Sequence, residues 1–462
     1  MTNDAIDARL SRRARILPAV LLALAASACG GEKRAPADTT RAPSEARTAN
    51  APAACPGDNG GLTLPAGFCA TIFADSLGHA RHVVVAPNGD VYVNTWSGSY
   101  YPDKAPRPDG FLVALRDTNH DGTADVVQRF GATGAKGGHG GTGIALHGGA
   151  LYAEEGATIV RYALPPAGGA PTAAAETIVS GMPLGGDHPM HPFAIDSAGG
   201  MYVDMGSATN SCQVKNRTLE SPGRQPCTEL TTRGGIWRFD AGKTGQAYSP
   251  SARWATGIRN AVGIAIAPDG SVYSTQHGRD QLGDNWPKLY TSQQGQDLPA
   301  EELLHIQQNG DYGWPYCYFD NTQAKLVLAP EFGGDGGKTV GQCAQKIAPV
   351  AYFPAHWAPD GLLFYTGAMF PASYKGGAFI AFHGSWNRAP GPQGGYKVAF
   401  VPFANGAPTA ADKVDTFADG FAGGRMQPDA AAHRPVGLAQ GPDGALYVTD
   451  DQRGRVWRVT YR

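Results

Sequence analysis

The sequence predicts an all-β fold, a six-bladed β-propeller with inserted loops, which follows a signal peptide and a disordered linker. Three observations lead to this prediction. A turn-and-strand motif recurs along the chain, Gly and Pro are abundant (63 and 35 of 462 residues), and the N-terminus has the composition of an export signal. Many short strands joined by tight turns account for this composition better than helices do.

The first 29 residues predict a lipoprotein signal peptide. A basic segment precedes an apolar run from Ile16 to Ala26, and small residues then lead to Cys29, the expected site of acylation. An ordinary signal peptide with an incidental cysteine is the alternative. The next residues are rich in Ala, Pro, Thr, Ser and charge, which is typical of a disordered tether. The predicted domains are the signal peptide 1–29, the linker 30–54 and the propeller 55–462.

We therefore expect an exported protein, periplasmic or at the cell surface, which only a lipid anchor holds to the membrane. Six cysteines remain after Cys29, an even number in a compartment where disulfides persist. Fifteen pairings are possible, and proximity in the sequence suggests Cys55–Cys69, Cys212–Cys227 and Cys317–Cys343. No haem-attachment motif occurs, so electrons from any oxidation would pass to an external acceptor, a cytochrome c or a quinone.

The repeated motif is a Pro-Asn/Asp-Gly turn followed by a strand. Its strongest copies begin at Ala86, Ala267 and Gly441, and weaker ones lie at Gly148 to Ala153, Ala198 to Val203 and Gly376 to Phe382. Pro sets the φ angle of the turn, Gly accepts a positive φ, and the alternating residues that follow suit a half-buried strand. About six such hairpins predict about six blades, because each sheet must bury its faces against neighbours. A pair of β-sandwiches is the alternative fold.

Five polar segments stand at comparable points of these repeats, and we expect them to converge on the propeller axis. The alternative interpretation of each is a polar surface loop. Their sequences run from Gly185 to His191 with Gly206 to Asn210, from Gly257 to Gly263, from Gln276 to Asp280, from His383 to Arg388, and from His433 to Pro435 with Asp450 and Asp451. A net charge of −2 offers no basic face for nucleic acid.

A further loop resembles a calcium site. Asp117, Asn119, Asp121 and Asp125 place oxygen atoms at alternate positions around a Gly turn, although the distal Glu of an EF-hand is missing. A solvated Asx turn is the alternative. The stretch from about Tyr290 to Ile347 interrupts the repeats, and long insertions of this kind usually carry function.

The five segments, together with Asp311-Tyr-Gly-Trp-Pro315, resemble the soluble quinoprotein glucose and L-sorbosone dehydrogenase family from Cys55 to the C-terminus. Members of that family are six-bladed propellers that hold pyrroloquinoline quinone (PQQ) and calcium (Ca2+). The resemblance implies a PQQ-dependent oxidation of a sugar, such as an aldose or a sorbosone-like aldehyde, or of a related alcohol. Ala432 and His277 depart from the glucose-oxidising members, so the sequence is closer to the sorbosone-type branch.

The resemblance also implies roles for individual residues. His188 would be the catalytic base, assisted by Asp187, and Arg259 would contribute to catalysis. The cofactor-binding residues would be Arg259 and Asn260 on the quinone oxygens, Arg388 and Arg434 on the PQQ carboxylates, and Asn387 and His383. The backbone carbonyls of Gly278 and Arg279 would bind the cofactor calcium, which would polarise the quinone as a Lewis acid.

Two other functions remain open on the sequence alone. A calcium-dependent lactonase-type hydrolase would use His188 to activate water, and it predicts a central metal ringed by Asp, Asn and Glu side chains. A non-catalytic lipoprotein propeller would bind partners, and it requires the five segments to be scattered around the rim.

Overall fold

The computed structural model describes residues 55–96, 108–134 and 140–462 of the chain. The predicted signal peptide and linker, residues 1–54, lie outside the described residues. No helix in the described ranges is long and apolar enough to cross a membrane.

The predicted all-β fold is confirmed, because six antiparallel sheets of at least four strands form the six blades of a propeller. Blade 1 contains Ala80–Val85, Val91–Thr95, Leu112–Arg116 and Val126–Phe130. Blade 2 contains Ile144–His147, Ala150–Glu155, Thr158–Ala163 and Glu176–Ser180, beside which Gln246–Ala247 runs parallel. Blade 3 contains Phe193–Ile195, Gly200–Met205, Gly235–Asp240 and Arg253–Thr256.

The second half of the ring repeats this order from the inner strand outward. Blade 4 contains Ile264–Ile266, Val272–Gln276, Glu301–Ile306 and Ala351–Phe353. Blade 5 contains Pro359–Phe364, Ala378–Phe382, Lys397–Val401 and Asp415–Ala418. Blade 6 contains Pro435–Gln440, Leu446–Asp450, Val456–Tyr461 and, as its outer strand, Phe68–Ala74.

The remaining elements belong to loops. The α-helices are Leu282–Asn285 and Ser292–Asp297, and the two extra hairpins pair Cys317–Asp320 with Lys325–Leu328 and Phe403–Ala404 with Ala407–Pro408. Short 3-10 helices span Asn59–Gly61, Thr228–Thr231, Pro250–Ala252, Pro330–Phe332, Gly341–Gln345 and Ala372–Tyr374. The three disulfides suggested by sequence proximity, Cys55–Cys69, Cys212–Cys227 and Cys317–Cys343, are confirmed.

The repeated turn has the same backbone geometry in blades 1, 4 and 6, where it joins the inner strand to the second strand. Gly89, Gly270 and Gly444 have φ angles of 89°, 87° and 90°, which L side chains rarely adopt. In each turn this glycine donates its N–H to the carbonyl three residues earlier, at 2.9 Å. The shared hydrogen bond explains why the motif recurs in the sequence at the same point of successive blades.

Apolar clusters fill the spaces between adjacent blades. Each of six clusters combines residues of two neighbouring sheets; Phe379 of blade 5, for example, shares a cluster with Trp457 of blade 6, and Tyr447 of blade 6 shares one with Val93 of blade 1. The N-terminal strand Phe68–Ala74 pairs antiparallel with the C-terminal strand Val456–Tyr461. The ring is therefore closed by the two ends of the propeller domain, as closed repeat folds require.

Candidate active site

The main pocket lies where inner strands begin, close to the propeller axis. It has a volume of about 460 Å³. Each of the five polar segments contributes to its wall. The segments therefore converge on one pocket, as predicted. The wall residues drawn from them are Asp187, His188, Met190, Arg259, Asn260, Val262, His277, Gly278, Asp280, His383, Gly384, Trp386, Asn387 and Arg434.

His188 presents a free ring nitrogen to this pocket. Its Nδ1 lies 2.9 Å from the carbonyl oxygen of Ser207 and 3.0 Å from the Ser207 hydroxyl. That hydroxyl donates its own proton to the carbonyl of Thr209, at 2.7 Å, so both oxygen atoms facing Nδ1 are acceptors. Nδ1 therefore carries the proton, and the lone pair lies on Nε2.

Two effects keep the His188 ring neutral. Burial of the ring lowers its pKa well below the ordinary value of 6.5, and the nearby positive charge of Arg259 lowers it further. Gly206 is part of the support for the ring, because a Cβ atom at that position would lie 2.6 Å from Cβ of His188. A neutral, oriented imidazole is the form that can accept a proton from a hydroxyl group.

Asp187 lies in the same pocket wall but has other partners. Its Oδ2 forms an ion pair with Nε of Arg217 at 3.0 Å, and both its carboxylate oxygens accept from Nδ2 of Asn216 at 3.3 Å. Nδ1 of His188 is held by Ser207, so the ring is oriented without the predicted help of Asp187. Asp187 orders Arg217 at the pocket wall instead.

Several polar groups in the pocket remain available to a ligand. Within the described part of the chain, the Arg434 guanidinium has no carboxylate within 4.0 Å; it donates to the carbonyls of His383 and Gly384, at 3.2 and 2.6 Å. Oδ1 of Asn387 is buried without a hydrogen-bond partner, whereas its Nδ2 donates to Asp280 at 3.0 Å. The Asn260 side chain makes no hydrogen bond to the described residues.

A chain of ion pairs forms another part of the pocket wall. Asp360 lies 3.0 Å from Nε2 of His277, 3.3 Å from Arg81 and 3.9 Å from His383, whose Nε2 contacts Asp451 at 2.8 Å. Burial acts to raise the pKa of Asp360, but His383 and Arg81 outweigh it and hold this pKa well below the usual range. This wall therefore combines cationic groups with permanently ionised carboxylates.

Two residues with predicted binding roles have side chains outside the pocket wall: Arg388, predicted to bind a PQQ carboxylate, and Arg279, predicted to bind calcium through its backbone carbonyl. Arg388 donates from Nη1 to the carbonyls of Gln296 and Ala355, at 3.2 and 2.8 Å, and Nη2 lies 3.3 Å from Asp297. The side chain of Arg279 is buried in an ion pair with Glu331. Both guanidinium groups are used to attach the inserted segment to the blades, so their charges are not available to a ligand in the pocket.

The predicted calcium loop closes on itself. The Asp117 carboxylate accepts from the backbone N–H groups of Asp121 and Gly122, at 3.1 and 2.9 Å, and Asn119 is hydrogen-bonded to Asp121. Asp125 accepts from the backbone N–H and the hydroxyl of Thr118. No cluster of three or more His, Cys, Asp and Glu side chains suited to a metal occurs in the described ranges. The hydrogen bonds of the loop are those of an Asx turn, and calcium binding there stays a prediction.

Sequence reasoning missed several residues of the wall. Arg81 and Asp360 are each the second residue of an inner strand, so an alignment of the repeats at their inner strands would have pointed to both. Trp386 lies inside a segment that was noticed for its charges, and its side chain is 53% exposed. Arg217 and His356 come from loops, Glu301 comes from the third strand of blade 4, and no local sequence signal marks them.

Comparison with known proteins gives a match to one family model and partial matches to two relatives. The model of a family described as TrAA12-like matches residues 62–462. An uncharacterized protein of Borreliella burgdorferi is 32% identical over 210 residues, which is 45% of this chain and 48% of that protein. A pyrroloquinoline quinone-dependent pyranose dehydrogenase of Coprinopsis cinerea is 30% identical over 239 residues, which is 44% of this chain and 30% of that enzyme. The matches span about half or less of these relatives.

Solved structures share the fold. A calcium structure of the Trichoderma reesei carbohydrate-active enzyme of family AA12 superposes with a TM-score of 0.68 at 20% identity, covering 87% of this chain and 97% of that one. The holo PQQ domain of the Coprinopsis cinerea pyranose dehydrogenase superposes with a TM-score of 0.65 at 21% identity, covering 86% and 97%. The predicted kinship with quinoprotein sugar-dehydrogenase propellers is thereby confirmed at the level of family and fold.

Proposed function

The chain belongs to the TrAA12-like family, and from this premise we propose that it oxidises a sugar or a related alcohol with PQQ as its cofactor. One observation carries the proposal. A neutral imidazole with a free Nε2, on His188, and a guanidinium without a carboxylate partner, on Arg434, face the same axial pocket. The first suits removal of a hydroxyl proton, and the second suits an anionic cofactor.

The unpartnered groups of the pocket fit PQQ, an ortho-quinone that carries several carboxylates. Arg434 would bind a carboxylate, and the side-chain amides of Asn260 and Asn387 would bind carbonyl or carboxylate oxygens. Arg388 is left out of this set because its guanidinium is bound to Gln296, Ala355 and Asp297. When bound, PQQ supplies the hydride acceptor, and the protein supplies binding, orientation and proton transfer.

His188 performs the proton transfer. Its Nε2 accepts the hydroxyl proton of the substrate, and PQQ, when bound, would supply the acceptor for the hydride of the carbon that bears this hydroxyl group, so that C–OH becomes a carbonyl group. The Nδ1–H group keeps its hydrogen bonds to the oxygen atoms of Ser207, and these bonds stabilise the imidazolium that forms. Arg217, held by Asp187 and Asp280, keeps one side of the pocket polar and suits the hydroxyl groups of a sugar.

Trp386 supports a sugar as the substrate. Its indole ring lies in the pocket wall and is 53% exposed, and a flat apolar surface of this kind stacks on the C–H face of a sugar ring. We expect Trp386→Ala to raise KM for the sugar about tenfold, with Trp386→Phe restoring most of the affinity. Titration of PQQ provides the control, since a large loss of PQQ affinity in Trp386→Ala would place the ring on the cofactor instead.

Calcium is the second cofactor that the resemblance implies, at the carbonyls of Gly278 and Arg279. The donor set does not fit this role, because the Gly278 carbonyl already accepts a hydrogen bond from Nη1 of Arg259 at 3.0 Å. A metal ion there would also lie beside the guanidinium charge. No step of the proposed reaction is therefore assigned to calcium.

The test is to titrate the purified apo-protein with PQQ and then to follow dye reduction with a panel of aldoses, sorbosone and simple alcohols. We expect PQQ binding and dye reduction with at least one sugar. Absence of PQQ binding, with and without added calcium, would overturn the proposed function. Reduction with simple alcohols alone would keep the cofactor and replace the substrate class.

We further propose that the chain is exported, is anchored by a lipid on Cys29 and passes its electrons to an external cytochrome c or quinone. The three disulfides support export, because disulfides persist outside the cytoplasm. Metabolic labelling with a fatty acid tests the anchor. We expect label on the wild-type chain and none on Cys29→Ala, and equal labelling of both would refute this anchor.

A further inference from the structure

The side chain of Arg259 occupies a cage of oxygen atoms at the wall of the pocket. Its Nε donates to the carbonyl of Asn210 at 3.0 Å, and Nη1 donates to the carbonyl of Gly278 at 3.0 Å. Nη2 donates to Oδ1 of Asn210 at 2.9 Å and to Oδ2 of Asp280 at 2.7 Å. Four oxygen atoms thus surround a side chain that is only 3% exposed.

The cage is held in place from outside. Trp314 donates from Nε1 to the carbonyl of Asn210 at 3.1 Å, and Nδ2 of Asn210 donates to the carbonyl of Asp280 at 2.9 Å. The backbone N–H of Gly278 donates to Glu301 at 2.9 Å. These contacts come from two loops and from the strand that begins at Glu301, so the oxygen atoms have supports other than the guanidinium.

Two carbonyls, an amide oxygen and a carboxylate are the ligand types that Ca2+ prefers. One of them, the Gly278 carbonyl, is one of the two carbonyls, with that of Arg279, that the family resemblance implies as ligands of the cofactor calcium. A guanidinium and a divalent cation repel each other and compete for the same lone pairs. In this chain, the cation inside the cage is therefore the guanidinium of Arg259 and not a metal ion.

The guanidinium also retains a donor for a ligand. Arginine has five N–H groups, and the four hydrogen bonds of the cage use four of them, which leaves one N–H on Nη1. Arg259 lies in the wall of the pocket beside Asn260. A quinone oxygen at this wall would meet a charged donor, which is the contact that the family resemblance implies for Arg259.

We propose that Arg259 takes the place of calcium in this chain, so that PQQ binds without a metal ion. The proposal rests on the proposed function, since it names the group that faces the quinone. It also makes a claim about the cage alone, namely that removal of the guanidinium creates a calcium site.

The first experiment measures the affinity of the purified full-length protein for PQQ, by quenching of tryptophan fluorescence, in EGTA and in millimolar calcium. We expect dissociation constants that agree within about threefold. An affinity more than about tenfold higher with calcium would overturn this inference and leave the proposed function standing. No binding in either buffer would overturn both.

The second experiment uses Tb3+ as a luminescent probe for calcium sites, with Trp314 as the donor because it contacts the cage. We expect Arg259→Ala to bind Tb3+ and to release it to excess calcium, while the wild type and Arg217→Ala do not. Arg217→Ala is the matched control, because Arg217 also pairs with Asp280, at 2.9 Å, without filling the cage. A calcium-sensitive signal in the wild type that Asp280→Asn abolishes would overturn the inference.

A third variant covers the possibility that Arg259→Ala does not fold. Arg259→Lys keeps one positive charge in the cage, and we expect it to fold, as judged by circular dichroism, and to remain silent to Tb3+. A folded Arg259→Ala without any Tb3+ signal would show that the cage is no cation site, which would also overturn the inference.

Discussion

At the scale of single residues, the chemistry of the pocket depends on which atoms are already bonded. His188 is polarised by Ser207 rather than by Asp187, and this contact fixes the ring tautomer without adding a negative charge. Burial lowers the pKa of His188 most, and the positive charge of Arg259 also disfavours the imidazolium. The base is therefore neutral and correctly oriented before any ligand binds.

His188→Ala should retain PQQ binding and lose most of the turnover. A general base contributes about 10² to 10⁴ in rate, and the ring makes no hydrogen bond to the groups assigned to the cofactor. The measurements are a PQQ titration and kcat with the best sugar of the panel. Loss of PQQ affinity in parallel with kcat would mean that His188 holds the cofactor and is not the base.

The pH dependence should reflect the lowered pKa of His188. Because the imidazole stays neutral as the pH falls through 6.5, kcat/KM should persist below that pH and decline only further into acid. Burial raises the pKa of Glu301, in the same wall, to about 7, so Glu301→Gln is the control that removes any inflection near neutrality. If kcat/KM of Glu301→Gln still fell with decreasing pH at values above 6.5, a neutral His188 would be contradicted.

At the scale of elements, the strand Glu301–Ile306 of blade 4 contains two buried carboxyl groups that reduce the stability of the fold. Glu302 is buried opposite Gln276, its Oε2 has no partner, and burial raises its pKa to about 8. The neighbouring Glu301 accepts from the backbone N–H groups of Gly278 and Ala358 and so connects the strand to two pocket loops. Two adjacent carboxyls in a central strand oppose folding unless they hold a proton.

Glu302→Gln should therefore stabilise the protein in neutral and alkaline solution. The folded state keeps the Glu302 proton up to pH 8, whereas the unfolded chain releases it near pH 4.5, so wild-type stability falls between these values. The free energy of unfolding should fall by about 1.4 kcal/mol per pH unit over this range, and Glu302→Gln should remove this fall. Denaturant unfolding at pH 4 and pH 8 measures the difference, with the exposed Glu176→Gln as control. Equal pH dependence in Glu302→Gln and wild type would contradict a neutral Glu302.

At the scale of the whole molecule, the ring exists because every blade buries both faces against its neighbours. The strand Phe68–Ala74 completes blade 6, and Phe68 packs against Phe370 and Phe417 at ring-centroid distances of 4.8 and 5.0 Å. The pocket takes its walls from loops of several blades, so its geometry depends on closure of the ring. Because the first and last strands of the propeller meet in one sheet, we expect its blades to unfold cooperatively.

A chain that begins at residue 75 should lose its cooperative unfolding transition, because the edge of Val456–Tyr461 and an interblade cluster become exposed. A chain that begins at residue 55 is the control and should melt like the full-length protein. Differential scanning calorimetry and PQQ titration measure both. An unchanged melting temperature in the shorter chain would show that closure by this strand is dispensable.

The fold and the membership of the site were readable from the sequence because both depend on local patterns. The turn at Ala86, Ala267 and Gly441 demands a positive φ at a fixed position, and polar residues at the starts of inner strands have no packing role except near the axis. Pairing of the six cysteines followed from short loops. Each of these properties requires only near neighbours along the chain.

Only the tertiary structure decided what each side chain does. Ser207 rather than Asp187 orients His188, Arg388 and Arg279 attach an insertion, and Arg259 fills an oxygen cage drawn from distant loops. Arg259 donates to the carbonyl of Gly278, 19 residues away along the chain, and Arg81 pairs with Asp451, 370 residues away. Because local pattern does not encode such pairings, the sequence determined the propeller and the place of its site, and the packed ring decided which charges remain free for a ligand.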